Sequence, residues 1–371
     1  MDQINLNNFS SGRVALFVPS MKGGGAEKAM INLASGFISR GLQVDLILFE
    51  KVGPYIESIP SEVRIIDLAD PSQSVASVLP LRKYLRKVQP DFVIAALKES
   101  CMVLLLAKLL GIGDVRLVVT QHGVIWAPET GFFRRLGRSF MYRWANGIVA
   151  VSSGVAEDFA RNSFMSRDRV KVIYNGISVS QLQQKASEPV EHEWFRSKEI
   201  PVIVSAGRLV KEKGHETLIR AFALIRKNRL ARLAILGEGP ELNQLRDLTE
   251  RLGIQEDVLF LGFKTNPYAY MARSSVFVLS STVEGLPNVI VEAMTVGTPV
   301  VSTDCKSGPR EILDDGKYGM LVPVGDAEGL AIAIEKQLDE PTDKKLLLER
   351  AQDFSLKKVI DQFLEVAGFG L

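Results

Sequence analysis

The sequence predicts an α/β protein built from two doubly wound domains, each with a parallel sheet covered by helices on both faces. A chain of 371 residues exceeds what one ordinary core holds. Short apolar runs alternate with segments of helical periodicity, the pattern of parallel sheets. This alternation is interrupted once, by the polar stretch QLQQKASEPVEHEWFRSKEI. We therefore predict a first domain over residues 1–178, a linker over 179–198, a second domain over 199–350 and a C-terminal helix over 351–371.

The predicted strands form two series. The first consists of VALFVP, VDLILF, VRIID, DFVIAA, RLVVT and GIVAV, and the second of PVIVSAG, RLAILG, DVLFLG, VFVLSS, PVVSTD and GMLVPV. Amphipathic stretches separate several of these runs, such as AEKAMINLASGFISR, where Ile31, Ala34 and Ile38 recur at helical spacing. Each series predicts one Rossmann-like sheet.

Composition and charge exclude several classes of protein. A content of 46% hydrophobic and 24% charged residues is ordinary for a globular chain. Residues 1–180 contain 21 Lys and Arg against 15 Asp and Glu, and the remainder contains 24 against 28, a bias too weak to predict nucleic-acid binding. Cys101 and Cys305 belong to no metal-binding pattern and predict no disulfide framework. The polar start and the short apolar run CMVLLLAKLL predict neither a signal peptide nor a membrane span, so we expect a cytoplasmic protein.

Unusual residues follow the predicted strands, where open α/β sheets bind their ligands. Gly23, Gly24 and Gly25 follow VALFVPS and open a helix, so their backbone could approach an anion. They match neither GxGxxG nor the phosphate loop, and a tight turn is the alternative. His122 follows RLVVTQ and is placed to contact a ligand, although a hydrogen-bonded packing role is equally compatible with the sequence.

Two cations lie in GRLVKEKG, after the first strand of the second series. Arg208 and Lys213 could clamp a diphosphate and stabilise the charge of a leaving group. A solvated basic turn is the alternative interpretation.

The stretch EGLPNVIVEA begins at Glu284 and carries a second carboxylate, Glu292, eight positions later. Pro287 suits the first turn of a helix, and Gly285 and Leu286 would present backbone N–H groups at its positive end. If every intervening residue were helical, the two carboxylates would be separated by roughly 12 Å. A glycosidase pair needs about 5 to 9.5 Å, so the spacing suits a ligand with two separated hydroxyl-bearing parts. A helix cap plus a surface glutamate is the alternative.

These stretches together resemble the retaining nucleotide-sugar glycosyltransferases of the GT-B fold, the large family-four group with the E-x7-E motif. The landmarks are GGGAEKAMINLA, VIYNGIS, SAGRLVKEKG, LAILGEGPE, LGF, VFVLSSTVEGLPNVIVEAMTVGTPVVSTD and GMLVP, in their usual order. The resemblance implies two Rossmann-like domains facing a central cleft, with the last helix crossing back to the first domain.

The resemblance also implies the site residues. The catalytic group is Arg208, Lys213, Glu284 and His122. The donor-binding group is Gly24, Gly25, Gly207, Gly262, Phe263, Gly285, Leu286, Pro287, Asn288 and Glu292.

Their roles follow from the family. The two cations would bind and stabilise the departing diphosphate, Glu284 would contact the donor sugar, and Glu292 would hold the ribose. Gly262 and Phe263 would frame the base. No metal is expected, because the chain contains no DxD pair.

The function implied is retaining transfer of a hexose or N-acetylhexosamine from a nucleotide sugar to a hydroxyl of a lipid-linked or surface-glycan acceptor, without a cofactor. TDCKSGPREIL resembles transferases that build bacterial surface glycans, which favours a UDP-sugar donor. Two alternatives remain open: a nucleotide-sugar epimerase of the same fold and an inactive sugar-nucleotide-binding subunit.

The stretch from residue 132 to residue 144, FFRRLGRSFMYRW, interleaves aromatic and basic residues. Such a helix can lie on an anionic membrane surface. We therefore expect a peripheral location on the inner face of the cell membrane. A helix that buries its aromatic residues and leaves the arginines in water is the alternative.

Overall fold

The computed structural model describes residues 12–123, 139–197 and 199–369. The chain divides into two compact units. Unit 1 consists of Met1–Ile177 and Leu356–Leu371, and unit 2 is Ser178–Ser355.

Unit 1 is built on one seven-stranded parallel sheet in the order β3-β2-β1-β4-β5-β6-β7. Most of its strands are buried over nearly their whole length, as expected for a sheet covered on both faces. The strands are β1 (Arg13–Val18), β2 (Gln43–Leu48), β3 (Arg64–Asp67), β4 (Phe92–Ala96), β5 (Arg116–Gln121), β6 (Gly147–Ala150) and β7 (Val170–Val172). The described helices are α1 (Gly25–Ser39), α2 (Val78–Val88), α3 (Lys98–Leu109) and α4 (Ser153–Ser163).

Unit 2 contains a six-stranded parallel sheet in the order β10-β9-β8-β11-β12-β13. Its strands are β8 (Val202–Ala206), β9 (Arg232–Leu236), β10 (Val258–Gly262), β11 (Val276–Leu279), β12 (Val300–Thr303) and β13 (Met320–Val322). Its helices are α5 (Val179–Ala186), α6 (His215–Arg226), α7 (Leu242–Arg251), α8 (Tyr268–Met271), α9 (Asn288–Thr295), α10 (Pro309–Ile312), α11 (Ala327–Asp339) and α12 (Lys344–Ala351). The prediction of two parallel α/β sheets is confirmed.

The last helix, α13 (Leu356–Val366), belongs to unit 1, as the resemblance to the GT-B family implied. Ile360 lies so close to Gly36 of α1 that a Cβ added to that glycine would approach it to 2.5 Å. Arg116 Nη1 also donates a 2.5 Å hydrogen bond to the Ala367 carbonyl. The chain therefore leaves unit 1 after Ile177 and returns to it at Leu356.

The predicted linker, 179–198, is described over residues 179–197, and these pack within unit 2. Residues 179–186 form α5, and Trp194 and Phe195 are buried in a cluster with Val202 and Ala234. Arg232 lies over the Trp194 ring at 4.9 Å. The segment has a mostly polar sequence, and the few large apolar side chains that it buries, Leu182, Val190, Trp194 and Phe195, fix it to unit 2.

The basic-aromatic stretch falls partly outside the described residues, which exclude 132–138. Among the described part, Tyr142 is buried and packs edge-on against Phe159 at 4.9 Å. Phe140 and Trp144 are 57% and 45% exposed. The described aromatic residues of this stretch therefore divide between the core and the surface. Within the described ranges, no helix combines the length and the apolar character needed to cross a membrane.

Candidate active site

The order of the unit 2 sheet reverses between β8 and β11, which are hydrogen-bonded neighbours. Loops that leave two such strands diverge and open a crevice at the carboxyl edge, the usual binding position in open α/β sheets. The loop after β8 is 207–214 and the loop after β11 is 280–287. The two most informative motifs of the sequence therefore lie on either side of one crevice.

An ion pair joins the two loops. The ammonium of Lys213 lies 2.6 Å from Glu284 Oε1, and Ser281 Oγ donates to the same oxygen at 2.7 Å. The Lys213 side chain is 23% exposed and that of Glu284 is 11% exposed. A pair this shielded from water interacts more strongly than a surface salt bridge, while each charge still reaches the crevice.

Further contacts between the two loops hold Lys213 and Glu284 in position. Ser280 Oγ donates to the Lys213 carbonyl at 2.9 Å, and Thr282 N donates to the Glu212 carbonyl at 2.8 Å. Gly214 has φ +62°, and a Cβ there would lie 2.1 Å from the Ser280 carbonyl oxygen. Only glycine allows the β8 loop to approach the β11 loop this closely.

The helix after Glu284 begins one residue later than the sequence predicted. Pro287 precedes α9 rather than forming its first turn, and its carbonyl accepts from Ile290 N at 3.0 Å. The eight steps from Glu284 to Glu292 are therefore only partly helical, and the 12 Å separation does not apply. Glu292 is 2% exposed, which excludes the interpretation of a surface glutamate. Gly285 and Leu286 lie in the loop just before Pro287.

The loop after β12 supports the Gly-Leu-Pro turn from behind. Ser307 Oγ donates to the Gly285 carbonyl at 2.9 Å. Gly308 has φ +92°, and a Cβ there would lie 2.4 Å from Pro287 Cδ. Arg310 pairs with Asp304 and with Asp315, which holds this loop closed. The TDCKSGPREIL stretch thus supports the Gly-Leu-Pro turn and shapes the site from outside it.

Three further predicted residues meet where β8, β9 and β10 end. Gly207 N donates to the Leu236 carbonyl at 2.9 Å, and a Cβ at Gly237 would lie 1.8 Å from the Gly207 oxygen. Gly237 N donates to the Gly262 carbonyl at 2.8 Å. Phe263 is 49% exposed beside this turn.

Glu238 connects the turns at the ends of β8, β9 and β10. Its carboxylate accepts from Phe263 N at 3.3 Å, and its carbonyl accepts from Leu209 N at 2.8 Å. Glu238 was not predicted as a site residue, although its position directly after an apolar strand and a glycine was a usable signal. Ser281 was also missed. Its signal was a hydroxyl residue three positions before a glutamate at a strand end.

Arg208 is exposed at the end of β8, and its guanidinium makes no hydrogen bond or ion pair with the residues that the structure describes. The stem of its predicted partner, Lys213, passes beside Gly207, 3.6 Å from the position of an added Cβ. Both cations therefore flank the same glycine. One of them is engaged with Glu284 and the other is available to a ligand.

His215, the first residue of α6, is 2% exposed. It was not predicted as a site residue. Neither ring nitrogen makes a hydrogen bond of normal geometry with the described residues. Burial lowers the pKa of His215 to about 4; the backbone of Arg208 opposes this shift, and the charge of Lys213 adds to it. The imidazole is therefore neutral at physiological pH.

The remaining predicted residues belong to unit 1. His122 Nε2 lies 2.9 Å from Thr120 Oγ1, just beyond the end of β5. The residue is half-buried, but desolvation of its ring lowers the pKa of His122 to about 4. Gly24 precedes α1 and Gly25 begins it, after a turn in which Gly23 has φ +102°.

The structure thus brings most of the predicted residues together in unit 2. These are Gly207, Arg208, Lys213, Gly262, Phe263, Glu284, Gly285, Leu286, Pro287, Asn288 and Glu292. His122, Gly24 and Gly25 lie at carboxyl ends of unit 1 strands. Within the three described segments, no group of three or more His, Cys, Asp or Glu side chains could hold a metal ion.

Comparison with known proteins agrees with this architecture. Residues 189–354 match the family described as glycosyl transferases group 1, and residues 23–181 match Glycosyltransferase Family 4. Two solved structures share the fold. A glycosyltransferase from Rickettsia africae has a TM-score of 0.83 at 20% identity, over 97% of this chain and 98% of that one. Anabaena HepE, solved with UDP, has a TM-score of 0.80 at 24% identity, over 96% and 99%.

Curated relatives extend over nearly the full length. A Campylobacter jejuni N-acetylgalactosaminyltransferase, which acts on a diphospho-undecaprenol-linked sugar, is 30% identical over 92% of this chain and 94% of its own. The lipopolysaccharide core glycosyltransferase LpsE of Rhizobium meliloti is 29% identical over 93% and 96%. The fold is that of a GT-B glycosyltransferase, as predicted. The chain belongs to Glycosyltransferase Family 4, with a group 1 second domain.

Proposed function

We propose that this glycosyltransferase moves a hexose or N-acetylhexosamine from a UDP-sugar to a hydroxyl of a lipid-linked or surface-glycan acceptor, with retention of configuration and without a metal. The observation that carries the proposal is the Lys213–Glu284 ion pair at the reversal of the unit 2 sheet. In this proposal Lys213 is the cation that binds the diphosphate, and Glu284 is the carboxylate that binds the sugar hydroxyls.

The chemistry follows from the charges. As the sugar leaves, negative charge grows on the diphosphate, and Arg208 and Lys213 stabilise it without an enzyme nucleophile. In this mechanism the leaving phosphate accepts the proton of the attacking hydroxyl on the same face of the sugar. Glu284 holds the donor sugar, and the buried Glu292 binds the ribose.

The UDP preference is supported by HepE, which was solved with UDP and with UDP-glucose. The acceptor class is supported by the Campylobacter relative, whose acceptor is a lipid-linked diphosphate sugar. We propose that the acceptor binds to unit 1, near His122. Peripheral attachment to the inner face of the cell membrane would bring the enzyme to such an acceptor.

The test is a reaction of the purified protein with UDP-sugars and a polyprenyl-diphosphate-linked sugar acceptor. We expect a product whose new linkage has the anomeric configuration of the donor by NMR, at a rate unaffected by EDTA. A product of inverted configuration, or activity abolished by chelation, contradicts the mechanism. Free altered sugar released without acceptor indicates an epimerase, and donor binding without turnover over a broad acceptor panel indicates a binding subunit.

A further inference from the structure

The imidazole of His215 is a polar group buried at the junction between the β8 loop and α6. Both of its ring nitrogens are shielded from solvent. A ring shielded in this way does not contact a ligand in the crevice, so any effect of His215 on the reaction passes through a neighbouring residue. A buried polar group also costs free energy unless it has a polar partner.

The backbone of Arg208 supplies that partner. Burial is the main cause that lowers the pKa of His215, and the backbone of Arg208 raises it. A backbone group that favours the protonated ring is an acceptor, so the group near the imidazole is the Arg208 carbonyl. This carbonyl accepts from Val210 N at 3.0 Å, which leaves it a second lone pair for a ring N–H.

The chain on both sides of Arg208 is tied to the end of β9. Gly207 N donates to the Leu236 carbonyl at 2.9 Å, and Leu209 N donates to the Glu238 carbonyl at 2.8 Å. Leu209 is fully buried. The β9 side therefore fixes the two neighbours of Arg208, whereas the carbonyl of Arg208 itself depends on α6.

The side chain of Arg208 needs this support more than that of Lys213 does. Lys213 is held by its 2.6 Å ion pair with Glu284. Arg208 is exposed, and its guanidinium has no partner among the residues that the structure describes. A long side chain without contacts loses much conformational freedom when it binds a ligand. Its direction into the crevice is therefore set by its own main chain.

We propose that His215 is a positioning residue for the transfer reaction: its ring N–H donates to the Arg208 carbonyl and so directs the guanidinium towards the donor diphosphate. The inference rests on the proposed function, because it requires that Arg208 binds the diphosphate. It predicts a selective effect. Loss of the ring N–H weakens the binding of ligands that carry a diphosphate and spares the nucleoside, whereas a ring that only fills space has no such selectivity.

The test compares the affinities of the full chain for UDP and for uridine, the latter by ligand-observed NMR at millimolar concentration. His215→Phe keeps a ring and removes both nitrogens. We expect about fivefold weaker binding of UDP, roughly the factor for one hydrogen bond, and unchanged binding of uridine. Arg208→Ala should show the same selectivity with a larger loss. Ile219→Val is the packing control, because Ile219 is fully buried in the same helix and loses only a methyl group.

Two matched pairs of variants separate the hydrogen bond from the shape of the ring. His215→Asn and His215→Gln carry an amide N–H near the positions of Nδ1 and Nε2. His215→Leu and His215→Met have similar shapes and no donor. One amide variant should bind UDP about fivefold more tightly than its apolar match, which also identifies the donating nitrogen. This comparison holds even if His215→Phe does not fold, and thermal unfolding checks the folding of each variant.

Three results would overturn the proposal while leaving the proposed function intact. They are UDP affinity unchanged in His215→Phe, equal weakening of UDP and uridine, and amide variants that bind UDP no better than their apolar matches. A loss in Ile219→Val as large as that in His215→Phe would also assign the effect to packing. Wild-type protein that binds no UDP would instead contradict the proposed donor, and this inference with it.

Discussion

Lys213 and Glu284 are 71 residues apart in the chain, yet their side chains form a 2.6 Å ion pair across the crevice of the unit 2 sheet. Glu284 also accepts from Ser281 through the same oxygen, so Oε1 carries both contacts. A bound diphosphate would compete with Glu284 for the lysine. In the proposed mechanism, Lys213 therefore exchanges the carboxylate of Glu284 for the diphosphate when the donor binds.

Removal of the lysine charge should impair turnover far more than folding. We expect Lys213→Ala to lower kcat by about 10²- to 10³-fold, because the stabilisation of the leaving diphosphate is lost. Steady-state release of UDP measures this effect. Lys211→Ala is the matched control, since Lys211 lies in the same turn but is exposed and outside the ion pair. Near-normal turnover in Lys213→Ala would contradict a catalytic role for Lys213.

Ser281 should act through Glu284 rather than on the substrate. Ser281→Ala removes one of the two contacts to Oε1, and the loss of one such hydrogen bond costs about 1 kcal/mol. We expect a fivefold to tenfold higher KM for the UDP-sugar, roughly the factor for that energy, with unchanged affinity for UDP. Thr282→Ala is the control, because its hydroxyl contacts only the Glu212 carbonyl, at 3.3 Å. If the variant bound UDP and the UDP-sugar equally weakly, this would argue against an effect of Ser281 on sugar binding.

Gly214 should tolerate no side chain. Gly214 and Gly253 have φ +62° and φ +68°, so alanine suffers similar backbone strain at both, about 1 kcal/mol. Only at Gly214 would the new Cβ collide with a carbonyl oxygen, whereas nothing lies within 4 Å at Gly253. Gly214→Ala should therefore lower the free energy of unfolding by about 1 to 3 kcal/mol more than Gly253→Ala. Urea unfolding measures the difference, and equal losses would mean that the two loops are less tightly joined than described.

The burial of His215 predicts an acid-sensitive stability. The pKa of His215 is about 4 in the folded state, below its unfolded value of 6.5, so the imidazole is neutral in both states above pH 6.5. As the pH falls from 6.5 towards 4, only the unfolded state gains the proton, and stability decreases by up to about 3 kcal/mol. His215→Phe should remove this component. Unfolding at pH 7 and at pH 5 tests it: a variant that loses as much stability as the wild type over this interval would contradict the assignment.

The positions of the strands along the chain, and their membership of parallel sheets, were predictable because buried parallel strands are nearly continuous apolar runs. The linker was mispredicted because Trp194 and Phe195 pack on residues far along the chain, including Tyr270 at 5.1 Å from Phe195. The predicted start of α9 was one residue too early, a common error at helix ends.

The candidate residues could be selected from the sequence, but their contacts could not. The Lys213–Glu284 pair exists because β8 and β11 are neighbours in the sheet, a relation that strand patterns alone do not specify. The burial of Glu292 and of the His215 ring likewise depends on packing that no local pattern encodes.

Thermal stabilisation of the protein by UDP, GDP, ADP and their common sugars tests the position of the donor site. We expect stabilisation by the uridine series, lost in Arg208→Ala and retained in Arg310→Ala, whose guanidinium is engaged by Asp304 and Asp315. Stabilisation that persists in Arg208→Ala, or no shift with any nucleotide sugar, would contradict the assignment of the donor site to the β8–β11 crevice.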